Sequence, residues 1–327
     1  MNKKTLSSGG IIANYRCPAA CGHCLYGSSP TAEPGYITEE TAFRICLKLR
    51  SLGCSGVHIG GGEPFLNVKG LVGLIKAILS SGLELDYIET NAAWITGKFE
   101  RDKAVLEEVI EAGDEIATIM VSADPFHVAF VPFWKNITLI NMLQEIGASY
   151  FVWQQRYLPI LSKLDKTKTY TPDELKQALG YDAIAECAKE YGMSFNGRAL
   201  NIVRKTAARK PVEHFLSGKP CREILNSNHF HVDFLEIYVP PSCTGMGVLI
   251  EDIDKPLDSG KYPVVSELCS NGLEGLYNFA VTEGFVPSSE GYASKCDVCF
   301  SARKYLATEK PGRCGDLTPN GFYLQDY

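Results

Sequence analysis

The chain has 327 residues, 45% of them hydrophobic and 21% charged, with a formal net charge of −6. Such a composition is ordinary for a soluble globular protein, and the length allows one large domain plus a smaller one. The acidic balance, with no long basic run, argues against nucleic acid as a partner, and no apolar stretch reaches the roughly 18 residues of a membrane span.

The first ten residues hold two lysines but no apolar core, so they do not read as a signal peptide. A cytoplasmic location is the expectation. In a reducing compartment twelve cysteines point to metal binding more than to disulfides. Ile11–Tyr15 is an apolar run that predicts a first strand. It leads into Cys17-Pro18-Ala19-Ala20-Cys21-Gly22-His23-Cys24, a C-x3-C-x2-C spacing. A helix follows from Thr38 to about Leu52, stopped by Gly53. Ser55–Ile59 predicts a second strand, closed by Gly60-Gly61-Gly62-Glu63-Pro64, where glycine supplies backbone freedom. The alternation continues with helix Val68–Ser81, strand Leu85–Thr90, helix Asp102–Ala112 and strand Ile116–Val121. Helix Ile137–Ile146, strand Tyr150–Trp153, helix Pro172–Tyr191 and strand Ser194–Val203 complete it. Six strands alternating with helices predict a parallel α/β sheet. Beyond about Arg209 prolines break the pattern and cysteines return. The expected division is 1–209 and 210–327, with the boundary between Val203 and Cys221.

The three clustered cysteines carry the most chemistry. Three thiolates can hold three irons of a [4Fe–4S] cluster, leaving the fourth open to bind and activate a small molecule. A zinc site using His23 as fourth ligand is the competing reading, although His23 is adjacent to Cys24 and structural zinc sites pair separated ligands. Buried packing thiols fit isolated cysteines better than three within eight residues.

Together these features resemble the radical SAM superfamily. The match rests on Cys17, Cys21 and Cys24 after the first strand and Gly61-Gly62-Glu63-Pro64 after the second. Glu89-Thr90-Asn91 after the third and Ser122-Ala123-Asp124 after the fourth support it. The resemblance covers about residues 11–203 and implies a partial (β/α)6 TIM-like barrel with its site at the strand C-termini, as parallel α/β folds place it. It implies that Cys17, Cys21 and Cys24 hold the cluster and that its open iron binds S-adenosylmethionine. Gly61, Gly62 and Glu63, ahead of Pro64, would meet the methionine ammonium, and Arg198 its carboxylate. Ser122 and Asp124 would bond the ribose hydroxyls. For these two a plain turn role competes, and for Arg198 a structural ion pair. His23 stands where the family usually has an aromatic residue near the adenine. The implied reaction is one-electron cleavage of S-adenosylmethionine and hydrogen abstraction from a substrate.

Farther on, Phe230–Cys243 predicts a β-hairpin ending in a cysteine, and Cys296-Asp297-Val298-Cys299 opens a helix over Ser301–Thr308. With Cys221, these cysteines resemble the twitch domain, the short form of the SPASM domain, in a small α+β cysteine-rich unit. Four thiolates would fully ligate an auxiliary [4Fe–4S] cluster able to accept or relay an electron; a structural zinc is the alternative. Cys314 would replace one ligand, donate a hydrogen atom, or do neither. Cys46, Cys54 and Cys187 read as packing residues. His127, after the fourth strand, is a candidate to face substrate, while His231 and Asp233 read as sheet residues.

The function expected is a radical SAM oxidoreductase, a dehydrogenase or a peptide-modifying enzyme. It would act on a small molecule or short peptide, with a reducing partner such as flavodoxin or ferredoxin and without nucleic acid or membrane. A redox-neutral epimerase and a non-catalytic iron–sulfur or zinc binding protein are the alternatives.

Overall fold

The computed structural model describes residues 5–114, 117–190 and 196–325. Two compact units make up the chain: Gly9–Cys21 with Ser28–Met193, and Met1–Ser8 with Gly22–Gly27 and Ser194–Tyr327. No helix among the described residues is long and apolar enough to cross a membrane.

The first unit is mixed α/β around a parallel sheet, the fold class expected. In chain order it contains β1 (Ser8–Ile12), α1 (Glu39–Ser51), β2 (Gly56–Gly60), α2 (Val68–Ser80), β3 (Glu84–Thr90) and α3 (Phe99–Ala112). Then come β4 (Ile119–Ser122), α4 (Phe133–Glu145), β5 (Tyr150–Trp153), α5 (Leu158–Leu161), α6 (Pro172–Leu179) and α7 (Ala183–Glu190). Each strand pairs in parallel with the next, from β1 through β5. Every residue of β2 and β4 is buried, as parallel strands covered on both faces require.

β1 begins earlier than expected because Gly9 and Gly10 belong to it. In register Gly10 faces His58 of β2. A Cβ on Gly10 would fall 2.3 Å from His58 Nε2, so the missing side chain makes room for the imidazole. His58 is buried and stacks on Tyr87 with ring centres 4.8 Å apart. α3 begins at Phe99 rather than Asp102, since the buried Asp102 carboxylate reaches back to the N–H groups of Thr96 and Gly97, each at 2.9 Å.

Two expectations are corrected here. The helix over Pro172–Tyr191 is two helices, because Gly180 ends α6 in the left-handed region at φ 78°; Tyr191 lies outside the described residues. The sixth strand, Ser194–Val203, is not a strand in its described part. Ser194 and Phe195 fall outside the described residues, Gly197–Ala199 is a 3-10 turn, and α8 (Leu200–Thr206) follows. Gly197 takes φ 56°, against extended pairing, and α8 is held by Arg204, whose Nε donates to Asp297 at 2.8 Å.

α8 belongs to the second unit. There α9 (Arg222–Leu225) precedes β6 (His229–Asp233), β7 (Ile237–Val239) and β8 (Val248–Leu249), an antiparallel meander. The hairpin is present as expected: Asp233 accepts from the N–H groups of Leu235 and Ile237 at 3.0 and 2.9 Å, closing the turn. Helices α10 (Pro263–Ser270), α11 (Gly272–Thr282) and α12 (Lys295–Glu309) pack in sequence. α12 starts six residues before the expected Ser301, because Ser294 caps it by accepting from the Asp297 N–H at 3.1 Å.

Gly10→Ala tests the β1–β2 register. It should cost about 1–3 kcal/mol through overpacking against a buried ring, read as a lower urea midpoint at unchanged slope.

Candidate functional site

The loop after β2 lies against the segment that leads into Cys17. Gly62 N–H donates to the Asn14 carbonyl at 2.9 Å, and Glu63 N–H to that of Arg16 at 3.0 Å. Only glycine permits this approach: a Cβ on Gly62 would sit 2.0 Å from the Arg16 carbonyl oxygen, and one on Gly61 2.5 Å from that of Asn14. Gly61 also takes φ 120°. Pro64 opens a single 3-10 turn, and its carbonyl accepts from the Tyr36 hydroxyl at 3.0 Å.

Glu63 is fully buried. Its carboxylate accepts from Phe65 N–H at 3.2 Å, Asn91 N–H at 2.9 Å and the Thr90 hydroxyl at 2.9 Å. It thus ties the loop after β2 to the loop after β3. Asn14 Nδ2 donates to the Glu63 carbonyl at 3.2 Å, whereas Asn14 Oδ1 is buried without a partner. An unsatisfied acceptor beside the glycine loop suits an incoming ammonium group.

Cys17 and Cys21 are buried. The Cys17 sulfur accepts from Asn91 Nδ2 at 3.2 Å and from Ala19 N–H at 3.4 Å, contacts that favour the thiolate needed to ligate metal. Asn136 Nδ2 bridges the carbonyls of Asn91 and Ser122 at 3.2 and 3.0 Å, joining the ends of β3 and β4. His23 and Cys24 belong to the second unit's Gly22–Gly27 segment, where the Cys24 carbonyl accepts from Arg198 N–H at 3.0 Å.

At the ends of β3 and β4 stand Glu89, Asp124 and His127. Asp124 is fully buried and accepts from the N–H groups of Phe126 and His127 at 2.9 and 3.1 Å, a turn-capping role. His127 Nδ1 lies 2.9 Å from Asp124 Oδ1. Burial alone would lower the imidazole's pKa; Asp124, Glu63 and Glu89 together outweigh it and raise it. Glu63 and Glu89 are each pushed up to about 7, first by burial. For Glu63 the three donors partly offset burial, and for Glu89 the nearby His127 does. The arrangement is a coupled set of proton-holding groups at the rim of the sheet.

The second unit gathers the other expected ligands. Cys221 caps α9, Cys243 follows β7, and Cys296 and Cys299 lie in the first turns of α12. Burial first, then Cys299, with Cys221 adding to it, pushes the Cys296 thiol up to about 11. Cys243 is raised well above the ordinary thiol range by burial and then by Cys299, with Cys221 and Cys296 adding to it. The four thiols are therefore electrostatic neighbours, a donor set suited to a thiolate-ligated metal centre. Cys314 is buried, but its neighbours are Asp316, Arg313 and Glu283; burial first and Asp316 next push its thiol up to about 12. Cys46, Cys54 and Cys187 are buried, as packing residues are. His231 and Asp233 sit buried on β6.

Sequence reasoning missed Asn14, Asn136 and Arg303. Asn14, three residues before Cys17, and Arg303, four after Cys299 on a helix, had spacing signals; Asn136 had none.

The carboxylates set a pH dependence. Folded Glu63 keeps its proton up to about 7, whereas an ordinary glutamate releases it near 4.5. The folded state thus binds more protons across that interval, so stability falls as pH rises through it. His127, raised above 6.5, acts in the same direction, because its stabilisation is lost as pH rises through the folded value. Chemical denaturation of the metal-free chain between about pH 5 and pH 8 should show a loss on the order of 3 kcal/mol from Glu63 alone. Glu63→Gln should flatten that profile.

Residues 11–141 match the family model described as the radical SAM superfamily. YydG of Bacillus subtilis (strain 168), provisionally named a peptide biosynthesis protein, is 27% identical over 146 residues, which is 44% of this chain and 42% of YydG. The chain thus matches less than half the length of this curated relative. Streptococcus suis SuiB is 14% identical, with 88% of this chain and 77% of SuiB covered at a TM-score of 0.42. BtrN in complex with AdoMet and 2-DOIA is 15% identical, with 78% and 84% covered at a TM-score of 0.37. The cysteine spacing, the glycine loop packed against it and the match over residues 11–141 make this part of the chain similar to the radical SAM superfamily.

Proposed function

We propose that this protein is a radical SAM enzyme that oxidises a peptide, with an auxiliary [4Fe–4S] cluster as electron acceptor. The observation that carries the oxidative part is the set of four mutually interacting thiols in the second unit. The name of YydG supports a peptide over a small molecule.

Cys17, Cys21 and Cys24 would hold the first cluster, with Asn91 favouring the Cys17 thiolate. Bound there, the cluster and S-adenosylmethionine supply a 5′-deoxyadenosyl radical that takes a substrate hydrogen. The Gly61–Gly62 backbone and Asn14 Oδ1 would receive the methionine ammonium; the Glu63 carboxylate, held by three protein donors, would order that loop. Arg198 would pair with the carboxylate, Ser122 and Asp124 would serve the ribose, and His23 the adenine. His127, oriented by Asp124, would accept the proton that the substrate loses. Cys221, Cys243, Cys296 and Cys299 would hold the auxiliary cluster, a centre suited to accepting one electron. A flavodoxin or ferredoxin would supply reducing electrons in the cytoplasm.

Anaerobic reconstitution with iron, sulfide, S-adenosylmethionine and dithionite should yield 5′-deoxyadenosine. Cys17→Ala should abolish that product while keeping about half of the iron, as expected for two four-iron sites. If the wild type makes none with any candidate peptide, the enzyme reading fails. In deuterated solvent the peptide should become oxidised. Deuterium incorporation at unchanged oxidation state would instead establish the epimerase, with Cys314→Ala then testing the hydrogen donor.

A further inference from the structure

Arg303 is 3% exposed. One Nη donates to the Thr244 carbonyl at 2.8 Å and to the Tyr323 hydroxyl at 2.9 Å, both neutral acceptors. Its Nε is buried with no partner. The contrast with Arg204 is direct: that guanidinium has the Asp297 carboxylate at 2.8 Å, while Arg303 has no ion pair among the described residues. Asp316, the nearby acid, accepts instead from Val265 N–H at 2.7 Å. A fully buried cation without a counter-charge is strongly unfavourable, so the fold must supply negative charge close by.

Its position shows from where. Arg303 lies four residues after Cys299 and seven after Cys296 on α12, hence on the same helix face. It bonds to the carbonyl of Thr244, the residue next to Cys243. The guanidinium therefore reaches toward three of the four clustered cysteines from two directions. It also lies within 6.0 Å of the Phe300 ring and 5.8 Å of the Tyr323 ring, which shut out water. The influence is mutual: Arg303 acts to lower the Cys243 and Cys299 thiols against burial.

We infer that Arg303 is the counter-charge of the four-cysteine centre and sets its reduction potential. The inference rests on the proposal that these cysteines hold an iron–sulfur cluster. Four thiolates give such a centre net negative charge, which grows on reduction, so a buried guanidinium with a free N–H favours the reduced form. Arg303 is a positioning residue here and touches no substrate. Lysine would keep the charge but not the planar guanidinium with its further buried N–H at Nε.

The test uses the full chain carrying Cys17→Ala, Cys21→Ala and Cys24→Ala, so that only the second site can load. Four irons per chain establish the underlying cluster. No iron, or one zinc, removes that reading before Arg303 is considered. In a dithionite titration followed by electron paramagnetic resonance, Arg303→Gln should lower the midpoint. The expected size is at least a tenfold change in the reduced-to-oxidised ratio, about 59 mV for one electron. Arg303→Lys should stay near the parent value. A Gln variant with full iron and an unshifted midpoint overturns the inference. If Arg303→Gln fails to fold or load, the parent chain labelled with [15N]arginine decides the matter. A 15N hyperfine coupling to the reduced centre supports the inference, and its absence overturns it.

Discussion

The close approach of two backbone segments, Asn14–Arg16 and Gly61–Glu63, is the constraint on which the first unit's site depends. Two hydrogen bonds hold the segments together, and the absence of side chains on Gly61 and Gly62 lets them form. Because Asn14–Arg16 runs directly into Cys17, this contact positions the start of the cysteine loop relative to β2. Glu63 extends the constraint. Its buried carboxylate binds Thr90 and Asn91, and Asn91 in turn donates to the Cys17 sulfur. Strand ends β2 and β3 and the first cysteine are thereby linked through two side chains, Glu63 and Asn91.

That link has an electrostatic consequence. Burying Glu63 near Glu89 places two carboxyls in a region that resists their ionisation. His127, held by Asp124, is the cationic group that partly relieves both. Groups poised near neutrality can hold or release a proton at little cost, which suits proton transfer more than pure scaffolding. The same residues therefore order the loops and create the rim's proton-holding capacity.

The second unit solves a different problem. Four thiols come from the cap of α9, the turn after β7 and the start of α12, and burial first, with neighbouring thiols adding to it, raises Cys243, Cys296 and Cys299 in the metal-free chain. Arg303 enters this apolar surrounding with neutral hydrogen-bond partners only. Buried thiols that resist ionisation and a buried cation with no ion pair among the described residues are complementary deficits. A thiolate-bound metal centre would satisfy both at once.

Much of this was legible in the residues. Local spacing identified Cys17, Cys21 and Cys24, the glycine loop, the strand–helix alternation and the C-x2-C on α12, because each is a short-range pattern. Tertiary packing decided what short-range pattern cannot carry. Ser194–Val203 is expected as the sixth strand of the strand–helix series, yet Gly197 in the left-handed region and the Arg204–Asp297 pair, 93 positions apart, make its described part a turn and a helix. Pro172–Tyr191, opening after Thr171, is expected as one helix, but Gly180 ends its first part. Glu63 read as a ligand for an ammonium group, and only the folded chain reveals its three donors, two of them from the next strand's end. Residue type and spacing are enough to mark which atoms could bind iron and which backbone could approach closely. Which buried charges face one another follows only from packing, since burial and long-range contact arise when distant segments come together.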